Sequence, residues 1–301
     1  MSQVVVNLLR SLLFVATAFI GTASAEPSLA EQRAIAEQGN PGAQYTLGFM
    51  YFEGSPEVPK DYKEAAIWFR KAAESGNASA QLNLSMMYVD GLGVAKDPVE
   101  AVRWLRAAAE QNNAVAQYSL GVMYVEGLGV AKDAAAAADW YRKAANQGHS
   151  SAQYNLGLMY ALGDGVPMDE PTAVNWIVKG AERGSSKAQY QLGMMNLNGV
   201  MGIPKDYKKA AMWFQRAAEQ GESKAQYSVG ILQSSGLGGP KNSVQAYKWL
   251  LLAAKNGEAA AGKSAESLAQ TLTKEQLEEA VKMADSFEPK KEPALPEEQP
   301  Q

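Results

Sequence analysis

One segment of this chain is spelled like a phosphate-binding loop. Residues 257–264 read Gly-Glu-Ala-Ala-Ala-Gly-Lys-Ser and fit the pattern G-x-x-x-x-G-K-S, whose backbone N–H groups and lysine hold nucleotide phosphates. Such a loop needs a β-strand before it and a non-helical, glycine-rich backbone. The three consecutive alanines, 259–261, instead favour a helix. We therefore predict the start of a helix here, and no nucleotide or other cofactor.

The side chains used for nucleophilic and metal chemistry are scarce. The chain has no cysteine and one histidine, His149, so a Ser-His-Asp arrangement could form only around that residue. No serine is followed three residues later by lysine, as it is in serine β-lactamases. No pair of acidic residues stands out as a buried acid/base couple. We therefore expect no catalytic residue and no metal site, and interpret His149 as a surface residue at a junction between repeats.

A column of Asp and Asn residues has two interpretations. One such residue stands seven positions before each of six tryptophans: Asp61, Asp97, Asp133, Asp169, Asp206 and Asn242. These side chains could bind metal ions, but one per repeat places neighbours about a helix diameter apart, too far to share an ion. Asp and Asn also accept hydrogen bonds from the free N–H groups of a helix's first turn. We therefore predict six helix N-caps.

The tryptophans give the period of the elements that position these residues. They stand 36 or 37 residues apart, at Trp68, Trp104, Trp140, Trp176, Trp213 and Trp249. Ala-Gln pairs repeat in the same register, and a glycine or asparagine, the usual residue of a left-handed helix end, follows each tryptophan by eight residues. This period predicts stacked helical hairpins. Because alanines flank each tryptophan at helical spacing, we expect the rings to fill the core.

The repeat divides the chain into five parts. We predict a signal peptide at 1–25, an N-terminal capping helix at 26–39, six repeats across 40–257, C-terminal capping helices at 258–287 and a disordered Pro/Glu/Lys tail at 288–301. The six repeats span residues 40–76, 77–112, 113–148, 149–184, 185–221 and 222–257.

The charge balance and the N-terminus indicate partners and location. With 28 basic and 32 acidic residues, the chain lacks the basic surplus typical of nucleic-acid-binding proteins, so we expect no nucleic-acid partner. Arg10, the apolar run 12–20 and Ala23-Ser24-Ala25 are typical of a signal peptide cleaved after Ala25, with an uncleaved anchor as the alternative. We therefore expect a periplasmic or secreted protein with no transmembrane segment after cleavage.

The full repeat resembles the Sel1-like repeat family, which is related to tetratricopeptide repeats. The shared pattern is Ala-Gln-Tyr-x-Leu-Gly, Gly-x-Gly-Val-x-x-Asp and Trp-x-x-Lys-Ala-Ala-x-x-Gly, and residues 116–148 show it most fully. Ser85 departs from it at the glycine of Leu-Gly, and Asn196 and Gln233 depart at a later tyrosine. The resemblance implies an all-α fold, a right-handed α-solenoid of helical hairpins, whose concave groove contacts proteins.

Candidate partner-binding residues follow from that groove. Variable polar residues stand two positions after each glutamine, at Thr46, Asn83, Ser119, Asn155, Gln191 and Ser228. Tyrosines beside them, Tyr118, Tyr154 and Tyr190 together with Tyr45 and Tyr227, could anchor a partner or pack between repeats. Five lysines before the caps could steer an acidic partner or form a solvated loop edge: Lys60, Lys96, Lys132, Lys205 and Lys241.

The function predicted from these features is an exported, non-enzymatic scaffold or adaptor. It would bind a protein or peptide partner in the groove, with a role in envelope regulation implied by the resemblance. The alternatives are a host-contact or virulence factor and an enzyme directed at the cell wall or at β-lactams. A cysteine-rich branch of the family is associated with β-lactams, but this chain has no cysteine.

Overall fold

The computed structural model describes residues 29–291, and every regular element in that range is an α-helix. The predicted signal peptide and most of the predicted tail lie outside the described residues. In chain order the helices are α1 (Leu29–Glu37), α2 (Pro41–Glu53), α3 (Tyr62–Glu74), α4 (Ala78–Asp90), α5 (Pro98–Glu110), α6 (Ala114–Glu126), α7 (Ala134–Asn146), α8 (Ser150–Leu162), α9 (Glu170–Glu182), α10 (Ser186–Asn198), α11 (Tyr207–Glu219), α12 (Ser223–Ser235), α13 (Ser243–Lys255), α14 (Ala259–Ala269) and α15 (Lys274–Asp285).

The helices form hairpins inside two compact units, Met1–Ala144 and Ala145–Gln301. The first helix of each hairpin is even-numbered, from α2 to α12, and the second is odd-numbered, from α3 to α13. In the first unit α2 packs on α3, α3 on α4, α4 on α5 and α5 on α6. In the second unit α8 to α14 follow the same order. The predicted all-α fold of stacked helical hairpins is confirmed.

Side chains from the predicted column cap the second helices at all six positions. The Asp61 carboxylate accepts from the backbone N–H groups of Lys63 and Glu64 at 2.9 and 3.2 Å. Asn242 makes the equivalent bond to Gln245 N at 3.0 Å. The other four caps are Asp97, Asp133, Asp169 and Asp206. These residues therefore satisfy helix N–H groups, as predicted.

The second helices end in left-handed residues, also as predicted. Asn112 has φ 68° where five other repeats have a glycine with φ between 88° and 102°. Four of the six hairpins contain a Gly-x-Gly turn, which has an additional constraint, seen at Gly129, where φ is 68°. A Cβ atom on this glycine would lie 2.0 Å from the Pro98 carbonyl oxygen of the preceding hairpin. Glycine is therefore required by both conformation and space.

The glutamine of each Ala-Gln pair closes the end of the preceding helix. Its Nε2 donates to the backbone carbonyl eight residues earlier, at 3.0–3.3 Å, in Gln44, Gln81, Gln117, Gln153, Gln189 and Gln226. The Oε1 atoms of Gln81, Gln189 and Gln226 also accept hydrogen bonds at 2.8–2.9 Å. The donors are the side-chain amides of Gln111, Gln220 and Asn256, which lie at the end of the following second helix. Because carbonyls at a helix end lack intrahelical partners, the glutamines have a structural role.

In the second unit, tryptophans contribute to the contact between successive hairpins. Trp213 packs in one cluster with Ile177 of the preceding second helix and Leu192 of its own first helix. Four of the six rings are buried, whereas Trp140 and Trp176 are partly exposed, so the predicted core role is confirmed for four. Each ring also has a lysine or arginine side chain 3.8–4.8 Å from its centroid.

The C-terminal helices cover the last repeat. A capping box between Thr273 and Gln276 starts α15, as predicted. Phe287 packs edge-on against Trp249 with ring centroids 5.5 Å apart. Lys290 then binds Glu219 twice, through its backbone N–H at 2.8 Å and through Nζ at 2.6 Å. The chain therefore crosses back from repeat six to repeat five.

Candidate partner-binding surface

The tyrosines of the first helices have a packing role. Tyr45 lies 5.8 Å from Phe69, and Tyr190 lies 5.6 Å from Phe214, measured between ring centroids. In both hairpins the ring of the second helix also lies against the glycine of Leu-Gly. A Cβ atom added at Gly193 would stand 2.6 Å from the Phe214 ring. The Leu-Gly glycine therefore lets the two helices approach closely enough for these rings to stack.

The variable polar positions differ in their accessibility. Ser119 and the neighbouring Tyr118 are 1% and 3% exposed, so both lie below the surface. Thr46 is exposed and Asn83, Asn155, Gln191 and Ser228 are half-buried. The hydroxyls of Thr46 and Ser228 donate to backbone carbonyls four residues earlier.

Two candidate amides of the second unit have no such bond. Among residues 29–291 the side chains of Asn155 and Gln191 make no hydrogen bond, and both are half-buried beside the half-buried Tyr154 and Tyr190. In the first unit Asn83 lies near the Tyr45 hydroxyl, where it lowers the pKa of Tyr45 against the larger effect of burial, which raises it. Tyr154 of α8 and Tyr190 of α10 lie close enough to interact, and we call the half-buried set Tyr154, Asn155, Tyr190 and Gln191 the amide–tyrosine face. The two helices contact each other directly.

Two glutamates stand beside the amide–tyrosine face. Burial raises the pKa of Tyr154 and of Tyr190, and the carboxylate of Glu222 raises both further. Glu258 acts on Tyr190 in the same direction. Glu222 and Glu258 occupy first-helix N-cap positions but make no cap bond, whereas asparagine or serine caps four other first helices. The face thus carries negative charge at one edge, which residue spacing alone did not indicate.

The prediction that His149 lies on the surface is wrong. The side chain is 4% exposed, and its Nδ1 accepts from Ala152 N at 3.3 Å as the N-cap of α8. Burial lowers the pKa of His149 to about 4. Asn40, Asn77 and Asn113 cap other first helices from the equivalent position, so the repeat register itself carried the signal for a cap.

The segment spelled like a phosphate loop is helical. α14 begins at Ala259, so Lys263 and Ser264 lie within it, and Ser264 Oγ donates to Ala260 O at 3.1 Å. Backbone N–H groups inside a helix bond to carbonyls and are not available to cradle phosphates. The predicted helix start is confirmed.

The lysines before the caps are all exposed, and each lies in the loop between the two helices of its hairpin. Lys205 Nζ stands 4.9 Å from the Tyr207 ring. No group of three His, Asp or Glu side chains within residues 29–291 has an arrangement that could hold a metal ion. Nor does that part of the chain contain a helix with the length and apolar character needed to cross a membrane.

A family model described as Sel1 repeat matches the chain six times, at residues 41–77, 78–113, 114–149, 150–185, 186–222 and 223–258. Proteins built from these repeats are generally non-catalytic scaffolds for protein–protein interaction. The comparison with curated proteins gives no match.

Two solved structures are similar in sequence and fold. A Sel1 repeat protein from Oxalobacter formigenes is 34% identical, with a TM-score of 0.74 over 86% of this chain and 76% of that one. A protective antigen present in uropathogenic Escherichia coli strains, which displays an SLR fold, is 33% identical, with a TM-score of 0.56. That match covers 86% of this chain, and the chain spans 63% of the antigen's length. Together with the hairpins, caps and tryptophan contacts described above, these matches show that the chain belongs to the Sel1 repeat family.

Proposed function

We propose that this protein is an exported, non-catalytic scaffold that binds a protein or peptide segment on the amide–tyrosine face. The observation that carries the proposal is the pair of unbonded amides, Asn155 and Gln191, beside half-buried Tyr154 and Tyr190. Amides can donate to and accept from a peptide backbone, and tyrosine supplies contact area at little entropic cost. The family's general role as a scaffold supports the same function.

Export is supported by the sequence of residues 1–25, which has the charge, apolar run and Ala-x-Ala pattern of a signal peptide. Expression of the full chain in a Gram-negative host, followed by osmotic shock, tests this. We expect the periplasmic or secreted product to begin at Glu26. A product that begins at Met1 and stays in the cytosol would contradict export.

Binding is tested with an arginine placed on the amide–tyrosine face. We expect Asn155→Arg to weaken capture of a direct partner from envelope extract by roughly tenfold, because the long side chain and its charge block the face. The control is Asn198→Arg, which adds the same charge at the exposed end of α10 and should capture the partner normally. An identical partner profile for wild type and both variants would refute this face.

A host-contact role is the second candidate function. It is favoured by the likeness to the protective antigen present in uropathogenic Escherichia coli strains. A deletion strain that adheres to host cells as well as its parent would count against it. Hydrolysis of a chromogenic β-lactam that survives repurification would instead favour the enzymatic alternative.

A further inference from the structure

Two arginine–tyrosine pairs connect successive hairpins of the first unit. Arg106 Nη2 donates to Tyr124 Oη at 2.6 Å, and Arg70 Nη2 donates to Tyr88 Oη in the same way. Each arginine stands two residues after a tryptophan, and each tyrosine follows its arginine by eighteen residues on the next first helix. The two side chains of each pair therefore link one second helix to the following first helix, with Tyr88 buried and Arg106 exposed.

Both members of this pair change together between repeats five and six. Gln215 stands at the arginine position and Gln233 at the tyrosine position, again eighteen residues apart. Gln215 Nε2 donates to Glu219 Oε1 at 2.9 Å. Because glutamine is shorter than arginine and has no ring to replace that of tyrosine, the substitution removes volume on both sides of the contact.

A cavity of about 210 Å³ lies where the pair would be. Its walls include Gln215, Gln233, Val229, Leu232, Leu237 and Gly238. The Oε1 atom of Gln233 is buried and makes no hydrogen bond among the described residues. An unbonded buried acceptor is destabilising, so it favours a ligand that can donate to it.

The neighbouring interface lost the same pair and filled the space. Val178 and Asn196 stand at the two positions there, and Asn196 Nδ2 donates to Leu192 O at 2.8 Å. Met201 and Ile203, from a loop one residue longer than that of repeat four, pack against the same cluster as Val178. The open space between repeats five and six is therefore not a necessary result of losing the pair.

We propose that this cavity binds a 4-hydroxyphenyl group. A cavity of roughly 150 Å³ with apolar walls is large enough for a benzene ring, and Val229 and Leu232 supply apolar contacts here. Gln233 Oε1 is almost closed to solvent, so the amide must turn toward the cavity for a phenolic hydroxyl to donate to Oε1 or to accept from the amide nitrogen. Leu237 is 43% exposed, so the group can enter from solvent on the loop side. No residue that lines the cavity belongs to the amide–tyrosine face, although Tyr190 packs against the cluster that contains Val229 and Leu232.

The ligand preference is tested on the purified full chain with 4-methylphenol and toluene as probes, by NMR titration. We expect saturable binding of 4-methylphenol, roughly 3- to 10-fold tighter than that of toluene, because one hydrogen bond distinguishes them. In Gln233→Leu the acceptor is gone and the two probes should bind equally. Undetectable 4-methylphenol binding, or an unchanged preference in Gln233→Leu, would overturn the proposal.

Restoring the pair tests the location of the site. The double variant Gln215→Arg/Gln233→Tyr should fill the cavity, lose 4-methylphenol binding by at least about tenfold and keep or raise the Tm. The control is Ser235→Tyr, which adds a tyrosine at an exposed position of the same helix and should bind like wild type. Equal binding by the wild type and a folded double variant would place the ligand elsewhere and overturn the proposal.

Two peptides distinguish the sources of the group. A five-residue peptide with a central tyrosine is compared with its phenylalanine counterpart, in competition with 4-methylphenol. Displacement by the tyrosine peptide alone supports a tyrosine of a partner protein as the ligand. Binding of 4-methylphenol without displacement supports a small phenol. Displacement that is equal for both peptides contradicts recognition of the hydroxyl. Because Asn155→Arg leaves the cavity intact, the result does not depend on the amide–tyrosine face.

Discussion

At the scale of single residues, one N-cap position serves different purposes along the chain. Asparagine at Asn40, Asn77 and Asn113 caps a helix and does little else, because it carries no charge at any physiological pH. His149 caps in the same way but is buried and titratable. Among the first helices of the repeats, α8 is therefore the one whose cap bond is made by a titratable side chain.

We expect His149 to make the protein less stable in acid. Its pKa is about 4 in the folded chain and 6.5 in the unfolded chain, so the unfolded state takes up the proton first as pH falls. The contribution of neutral His149 is complete above pH 6.5 and is lost between 6.5 and 4, at most about 3 kcal/mol. Protonation of Nδ1 would also place a donor against Ala152 N–H.

The measurement compares wild type with His149→Asn in urea unfolding at several pH values. The asparagine keeps the cap and cannot titrate, so the two proteins should diverge as pH falls from 7 to 4. The carboxylates are the same in both proteins and titrate equally. The difference between the two in how stability changes with pH is therefore specific to the imidazole. A stability difference that does not change with pH would contradict burial of the neutral ring.

At the scale of the helix, the N-caps of α12 and α14 are the weakest in the repeat. Glu222 makes no cap bond, whereas asparagine does in α2, α4 and α6. We expect Glu222→Asn to raise the free energy of unfolding by roughly 0.5–1 kcal/mol, since it supplies the missing acceptor. Thermal melts at pH 7 check this against Glu182→Asn, an exposed site in α9 outside any cap position. Equal melts for the two variants would show that the cap is not limiting.

The tryptophan contact is the main element-scale interaction. Trp249 is 2% exposed and packs against Phe214, Val229 and Leu232, so Trp249→Ala should cost about 3–5 kcal/mol. Trp176 occupies the equivalent position but is partly exposed, and its replacement should cost clearly less. Denaturant unfolding of both variants gives the comparison. Equal losses would mean that burial does not determine the contribution of these rings.

The elements were largely predictable from the sequence, and the surface was not. Caps, left-handed helix ends and tryptophan contacts recur every 36 or 37 residues, so each repeat supports the interpretation of the others. His149 was misplaced because it was interpreted by its residue type, whereas its register places it with the caps Asn40, Asn77, Asn113 and Ser185. The burial of Ser119 and the cavity at Gln233 depend on how neighbouring helices pack, which spacing alone does not specify.

At the scale of the molecule, a repeat array is stabilised by contacts between nearest neighbours, so its ends need a cover. α14 and α15 provide one: Ala261 and Ala265 pack on Leu250, and Ala284 and Phe287 pack on the Trp249 cluster. After Phe287 the chain returns to repeat five, where Lys290 binds Glu219. The last repeat thus has a partner on its outer side, although no seventh tryptophan follows it.

We expect loss of this cover to act locally. Phe287→Ala removes the edge-on contact with Trp249, so hydrogen exchange should speed up in α13 and α15 by roughly tenfold or more while α2 to α5 keep their protection. The control is Glu288→Ala, whose exposed carboxylate lies next in the chain and has no ring contact. Equal acceleration throughout residues 29–291 would show that the chain opens as one cooperative block. In that case the nearest-neighbour description of its stability would be wrong.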